Sequence, residues 1–385
     1  MVSEYKEPET IGIDARYLDG GYSGIGNYSE NLLQHLAQLE SEKKFVVFVH
    51  SKFDRRLQLG PNFKVLHYPA RPVSMKTLFD FSRVLKREGV ELLHSLFPLA
   101  PVFYRGKRLV TVHDLQPFDD PEFTGRRSWI LKKGYDYFYR VTYPAAIRRA
   151  SWVVAVSNAT RDALVRHFPE VEGKIIVVHE GLEASYLEPL KDPTIQLVLG
   201  RYALPEKYVL YVGSTRPNKN IPNMIRAFIA YCQREGAMGD LHFVMVLTKD
   251  RFFADAEKLI KRSGMESRFV FFERVTEEEK RVFYSRALAL MFVTKTEGFG
   301  LPLLEAQASG TPVLAANHGA LPEVAGGSAV LVNPDNPQTI ASAMQRILED
   351  EELRQRLIQA GHDNVKRFSW KTAAKRIHEI YSLLF

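Results

Sequence analysis

With 385 residues, 45% of them hydrophobic and 25% charged, the chain has a globular composition and the length for two domains, and it contains no repeat, heptad array or low-complexity tract. Its single cysteine, Cys232, rules out an intrachain disulfide framework; the first residues carry no signal-peptide pattern and no apolar run approaches the roughly 18 residues of a membrane span, so a cytoplasmic protein is expected. Fifty-two Lys and Arg against 45 Asp and Glu leave a charge of +7, which favours anionic partners: nucleotide phosphates, phospholipid headgroups or nucleic acid.

Strand-like and helix-like segments alternate along the chain, the pattern of stacked βαβ units and parallel sheets. Thr10 to Tyr17 reads as the first strand, and the glycine-rich turn G-G-Y-S-G-I-G-N, Gly20 to Asn27, leads into a helix over Asn27 to Leu39. Strands follow at Lys44 to Val49, Phe63 to His67, Leu92 to His94 and Lys107 to His113, the last ending in V-T-V-H-D. From Arg105 to Arg149, basic residues such as Arg126, Arg127, Lys132, Lys133 and Arg140 alternate with Trp129, Tyr135, Tyr137, Phe138, Tyr139 and Tyr143. Two readings stand for this segment: a surface that leans on an anionic membrane, or a helix with a solvated basic face and an aromatic core face. Strand Trp152 to Val156, helix Asn158 to Arg166 and strand Lys174 to Val178 complete the first half.

Leu187 to Leu204, with Pro189 and Pro193, reads as a linker. A second series opens with strand Tyr208 to Gly213 and helix Ile221 to Arg234, then strand Leu241 to Leu247, helix Phe253 to Ser263, strand Phe269 to Phe272 and helix Glu277 to Arg286. The continuously apolar run Ala287 to Val293 reads as a buried parallel strand. Near the C-terminus, Ala373, Ile377, Ile380, Tyr381 and Leu384 recur at helical spacing.

After the run Ala287 to Val293 comes T-E-G-F-G-L-P-L-L-E-A-Q-A-S-G-T, Thr296 to Thr311. Pro302 suits the first turn of a helix and Gly310 its end, so Glu297 falls in the loop and Glu305 one turn into the helix. Ligands of open parallel sheets bind in loops at the carboxyl ends of strands, and Gly298 and Gly300 let backbone N–H groups approach an anion at the helix N-terminus. Two acids facing such a ligand bind hydroxyls rather than phosphate. The glycine turn near Asn27 has two readings as well: amide donors offered to a phosphate, or a plain flexible turn. In Y-V-G-S-T-R-P-N-K-N, Tyr211 to Asn220, Lys219 is the cation to face a diphosphate, because fixed positive charge stabilises a departing anion more than its ground state. No Asp-x-Asp triplet and no ligand-spaced histidines occur, so no metal or other cofactor is expected. A dinucleotide-dependent dehydrogenase is disfavoured, since neither domain's first strand leads into G-x-G-x-x-G with a following acidic strand end.

From Gly213 to Asn333 the chain resembles the retaining, nucleotide-sugar-dependent glycosyltransferases of family four, whose signature is Glu, seven residues, Glu: here E-G-F-G-L-P-L-L-E, Glu297 to Glu305, then G-T-P-V-L-A and L-P-E-V-A-G. The resemblance implies an α/β fold of GT-B class, two Rossmann-like domains facing a cleft. Its acceptor domain would span 1–190, its nucleotide-sugar donor domain 191–369, with the terminal helix 370–385 packing back on the first. In that family Glu297 would hold hydroxyls of the donor sugar, the amides of Phe299, Gly300 and Leu301 would meet sugar and phosphate, and Glu305 would grip the ribose. His113 would hydrogen-bond the transferred sugar, with Asp114 shaping its loop, and Gly24 and Gly26 would lie in the glycine loop at the diphosphate. Asn218 stands where the family commonly has an arginine before the lysine; either Arg216 reaches the phosphate instead, or Lys219 acts alone.

T-V-H-D-L-Q-P-F and V-S-N-A-T-R-D-A-L are similar to members that extend bacterial polysaccharides with mannose or a related deoxyhexose. This implies GDP-mannose as donor and a saccharide or lipid-linked acceptor; UDP-sugars stay open, because base selection rests on backbone contacts near Arg274 and Val275. Front-face transfer is expected, the leaving phosphate oxygen taking the acceptor proton. The alternatives are a nucleotide-sugar sensor without turnover, and a nucleic-acid binder, which would leave the motif-bearing loops unexplained.

Overall fold

In the computed structural model, which describes residues 9–19, 23–39, 41–120, 123, 129–234, 236–249 and 252–385, the chain divides into two units: residues up to Gly181 together with Ser369–Phe385, and Leu182–Phe368. Among the described residues the first unit holds a seven-stranded sheet of β1 (Thr10–Asp14), β2 (Lys44–His50), β3 (Phe63–Tyr68), β4 (Leu92–Ser95), β5 (Lys107–Val112), β6 (Trp152–Ala155) and β7 (Ile175–Val177). All pairs are parallel, in the order β3-β2-β1-β4-β5-β6-β7. The central strands are buried along nearly their whole length, as helices on both faces demand, whereas edge strand β3 exposes Lys64 and Val65. Val110, Val112, Val153 and Ala155 pack with Phe97, Tyr143, Ile147 and Phe168 in one core cluster; Phe48, Phe81, Leu85 and Leu93 form another. Each large apolar side chain so buried contributes about 1.5–3 kcal/mol.

The second unit holds a six-stranded parallel sheet of β8 (Tyr208–Ser214), β9 (His242–Thr248), β10 (Phe269–Phe272), β11 (Ala289–Phe292), β12 (Val313–Ala316) and β13 (Val330–Val332), in the order β10-β9-β8-β11-β12-β13. Strand order reverses between β1 and β4 and again between β8 and β11. At such a point the loops after the two central strands diverge to opposite faces and leave a crevice at their carboxyl ends.

Three differences from the sequence reading have a visible physical cause. β1 stops at Asp14 because its carboxylate receives Nη2 and Nε of Arg16 at 2.6 and 2.7 Å, while Nη1 donates to Ala70 O and Thr77 Oγ1; this buried pair draws the chain out of the sheet. The first helix runs Gly24–Leu36 and starts before Asn27, since Ser23 Oγ caps it by accepting the Gly26 N–H at 3.0 Å. The expected linker contains a helix, Asp192–Tyr202: Pro193 lies in its first turn, where a missing N–H costs nothing, and Arg201 anchors it by a 2.7 Å ion pair with Glu279.

The basic aromatic segment forms a helix, Trp129–Arg149, whose Tyr143 and Ile147 enter the core while Tyr137 and Val141 point outward, 72% and 48% exposed. The helix therefore carries an aromatic core face, as the second reading expects, together with exposed apolar side chains; Arg126 and Arg127 lie outside the described residues. The helix Trp370–Leu383 packs with the first unit. Its Trp370 ring meets Tyr28 edge-on at 5.4 Å, and its Tyr381 hydroxyl lies 2.7 Å from Nδ1 of the buried His94.

Candidate active site

β8 and β11 are hydrogen-bonded neighbours, Val209 opposite Ala289, so the loops that follow them emerge side by side at the carboxyl edge. After β8 the chain makes a 3₁₀ turn, Pro217–Lys219, and Asn220 adopts a left-handed conformation, φ 59°, to open the helix Ile221–Cys232. Asparagine tolerates that conformation better than most residues, and here its side chain also works: Nδ2 donates to Val293 O at 2.9 Å and Pro334 O at 2.7 Å. Asn218 ties the same two loops, donating to Thr296 O at 3.1 Å and accepting the Lys295 N–H at 2.8 Å on its carbonyl. So held, Lys219 places Nζ 2.6 Å from Glu297 Oε1, with side chains only 20% and 11% exposed. The Asn218 side chain, expected at the donor, is buried and its amide nitrogen donates to Thr296. The exposed cation beside it is Arg216, whose guanidinium has no partner among the described residues.

The Glu297 loop enters its helix, Leu301–Ala308, through Gly300 at φ 104°. A Cβ there would lie 2.7 Å from Leu321 Cδ2, so both conformation and space require glycine. Phe299 is buried and meets Phe368 edge-on, and the Glu297 carbonyl accepts the Ala320 N–H at 3.3 Å. Leu301 begins the helix, so its amide and its neighbours' belong to the partially positive terminus.

One turn on, Glu305 is buried. Its Oε2 accepts the Tyr284 hydroxyl at 2.8 Å and lies 3.8 Å from Lys280 Nζ, which in turn sits 2.7 Å from Glu277. Burial pushes the Glu305 carboxyl above its usual range, although Lys280 and the Tyr284 hydrogen bond pull the other way. Burial also works against the Lys280 ammonium, but Glu305 and Glu277 outweigh it and hold the group above its ordinary range. Arg274 and Val275 follow edge strand β10; Arg274 is exposed at φ 55° and Val275 is buried. The structure thus brings Lys219 and Glu297 into contact, and gives Glu305 two partners, Tyr284 and Lys280, that no strand-end motif announces. Both lie inside the helix Glu277–Arg286, one turn apart, where they read as an ordinary helix face.

In the first unit His113 directly follows β5. Nδ1 lies 3.3 Å from Glu180 Oε1 and Nε2 lies 3.0 Å from Leu96 O, while Tyr28 stands edge-on to the ring at 4.7 Å. Asp114 accepts the Gln116 N–H at 3.1 Å and so shapes the loop. Glu180 escaped the sequence reading because its loop, after β7, carries no motif, although it too leaves a strand's carboxyl edge. Gly24 and Gly26 prove to be first-turn helix residues without positive φ. Gly26 is needed for close approach, since a Cβ would lie 3.1 Å from Tyr17 O, and its N–H already serves Ser23; Gly20, Gly21 and Tyr22 lie outside the described residues.

Comparison with known proteins bears on both units. The family described as Glycosyltransferase Family 4 matches residues 22–186, and that described as Glycosyl transferases group 1 matches residues 201–364. The O-antigen chain mannosyltransferase B of Escherichia coli is 25% identical over 383 residues, covering 94% of this chain and 96% of that protein. Among solved structures, sucrose-phosphate synthase (tll1590) from Thermosynechococcus elongatus matches with a TM-score of 0.76 at 21% identity, over 98% of this chain and 99% of that one. Anabaena Alr3699/HepE in complex with UDP-glucose matches with a TM-score of 0.75 at 16% identity, over 97% and 99%. At these identities the structural likenesses speak to the fold.

Proposed function

The chain belongs to the family-four glycosyltransferases of GT-B fold, and on that premise we propose that it transfers a hexose with retention from a nucleoside diphosphate sugar to a saccharide or lipid-linked acceptor in polysaccharide assembly. The first choice of donor is GDP-mannose, supported by the likeness to a mannosyltransferase along almost the whole chain. The observation that carries the reading is the Lys219–Glu297 pair at the reversal point between β8 and β11. A diphosphate competes with Glu297 for Lys219, and Arg216 supplies the second cation; Glu297, relieved of its partner, accepts hydrogen bonds from the sugar. The amides of Phe299, Gly300 and Leu301 face sugar and phosphate at the helix terminus, and Glu305 takes the ribose.

The bond from the anomeric carbon to the diphosphate oxygen breaks, and negative charge grows on the leaving group where Lys219, Arg216 and the helix terminus stabilise it. The acceptor oxygen attacks the same face of the oxocarbenium-like sugar, and its proton passes to the departing phosphate oxygen. His113 exchanges its Leu96 carbonyl contact for a sugar hydroxyl while Glu180 keeps the ring in place. These cations make a divalent metal unnecessary, and no cofactor takes part. The base lies against the backbone at Arg274 and Val275, close in sequence to the helix that carries Tyr284.

Peripheral contact with an anionic membrane, on its cytoplasmic side, is also proposed for the first unit, through exposed Tyr137 and Val141 and the outward pair Phe79 and Phe103, whose rings lie 5.8 Å apart. Nucleic acid has no place in this reading.

A panel of labelled nucleotide sugars, incubated in EDTA and followed by NMR of the product anomer, tests the assignment. GDP-mannose turnover with the α-configuration kept is expected, and Glu297→Gln should lower it by about two or more orders of magnitude with folding unchanged. Inversion or metal dependence would remove the mechanism. Tight nucleotide binding without turnover of any donor would instead identify a sensor.

A further inference from the structure

The helix Glu277–Arg286 turns one face toward Glu305, and on that face Lys280 and Tyr284 stand one turn apart. Among the described residues, both side-chain partners of Glu305 address the same oxygen, Oε2: the Tyr284 hydroxyl at 2.8 Å and the Lys280 ammonium at 3.8 Å. Among the described residues, the other groups that act most strongly on this carboxyl bring no positive charge. Glu277, 2.7 Å from the same ammonium, and Glu183 are acids; Tyr186 and Tyr284 are phenols that burial keeps well above their usual range. Three carboxyls therefore share one cation, and Glu305 is the buried one among them. Without that cation, burial and two like charges all favour a proton on Glu305, and a protonated acid is a much weaker acceptor for a pair of hydroxyls.

We propose that Lys280 is a positioning residue of the donor site: its ammonium keeps Glu305 a carboxylate, so that Oε1, the oxygen Tyr284 leaves open, accepts the ribose hydroxyls of a nucleoside diphosphate sugar. This inference rests on the reading of Glu305 as the ribose ligand. Lys280 itself need not touch the sugar. It lies inside the helix Glu277–Arg286, and its effect passes through another side chain.

The test is calorimetric binding of GDP and UDP to the full chain between about pH 6 and 9, with circular dichroism as the folding control. Lys280→Met should bind about tenfold more weakly than wild type at neutral pH, and the deficit should shrink as pH rises, by up to about tenfold per unit, because one proton leaves Glu305 on binding. Lys280→Arg should bind as wild type. Lys280→Gln makes the same comparison should the methionine variant fail to fold. A neutral variant that binds like wild type throughout, or with the same deficit at every pH, overturns the proposal. Glu305→Gln, weak at all pH values, keeps the ribose reading separate: were it to bind normally, that reading would fall first and the role of Lys280 with it.

Discussion

His94 is fully buried between the Tyr381 hydroxyl and Thr111 Oγ1, at 2.7 and 2.9 Å, and burial pushes its imidazole down to about 3. The unfolded chain takes up a proton here that the folded chain refuses. Stability supplied by the neutral ring is therefore complete above the ordinary value of 6.5 and is lost progressively as pH falls from there towards 3. The loss cannot exceed about 5 kcal/mol for one group, at about 1.4 kcal/mol per unit. Thermal unfolding should show a midpoint that drops across this window in wild type and drops less in His94→Gln; parallel curves would contradict it. At this scale the sequence points to polar residues at or after a strand's carboxyl end that also carry a motif: His113 directly follows β5, and Lys219 and Glu297 lie in the loops after β8 and β11. Glu180, Lys280 and Tyr284 carry no motif, and each gains its meaning from a partner that only the fold brings near.

Among the elements, the parallel strands were legible because burial on both faces forces continuous apolar runs, and the helices between them because one face must stay polar. Entry points were harder to read. The cap at Ser23 moved a helix start into glycines that look like loop, and Pro193, which looks like a break, opens a helix. Asn220 is the entry on which the site most depends, since its conformation starts a helix and its amide bridges to β11 and to Pro334. Asn220→Ala should cost about 2–4 kcal/mol, from a strained left-handed alanine and the loss of both side-chain bonds, the buried Val293 carbonyl losing this donor while Pro334 O keeps the Asn223 amide. Asn220→Gly should cost less, because glycine keeps the conformation and loses only the bonds. Urea unfolding decides this, and an alanine variant at least as stable as the glycine one would refute the account.

Across the whole molecule, among the described residues no helix is long and apolar enough to cross a membrane. With a charge of +7 and outward-facing Phe103 and Tyr137, 65% and 72% exposed, the expected attachment is superficial and electrostatic. Vesicles containing anionic lipid should sediment the protein at low salt, less so at high salt, and less again for Phe103→Ser with Tyr137→Ser; no binding at low salt would discard the idea. A different consequence comes from the way the chain is threaded. Leu182–Phe368 interrupts the first unit, whose Tyr381 and His94 meet across 287 positions. A ribosome must therefore finish the interrupting unit before it can deliver Trp370–Leu383, leaving the earlier-made sheet without its last covering helix for the whole of that interval. The nascent protein completes its second half first, and its oldest strands are the last to be sealed from water.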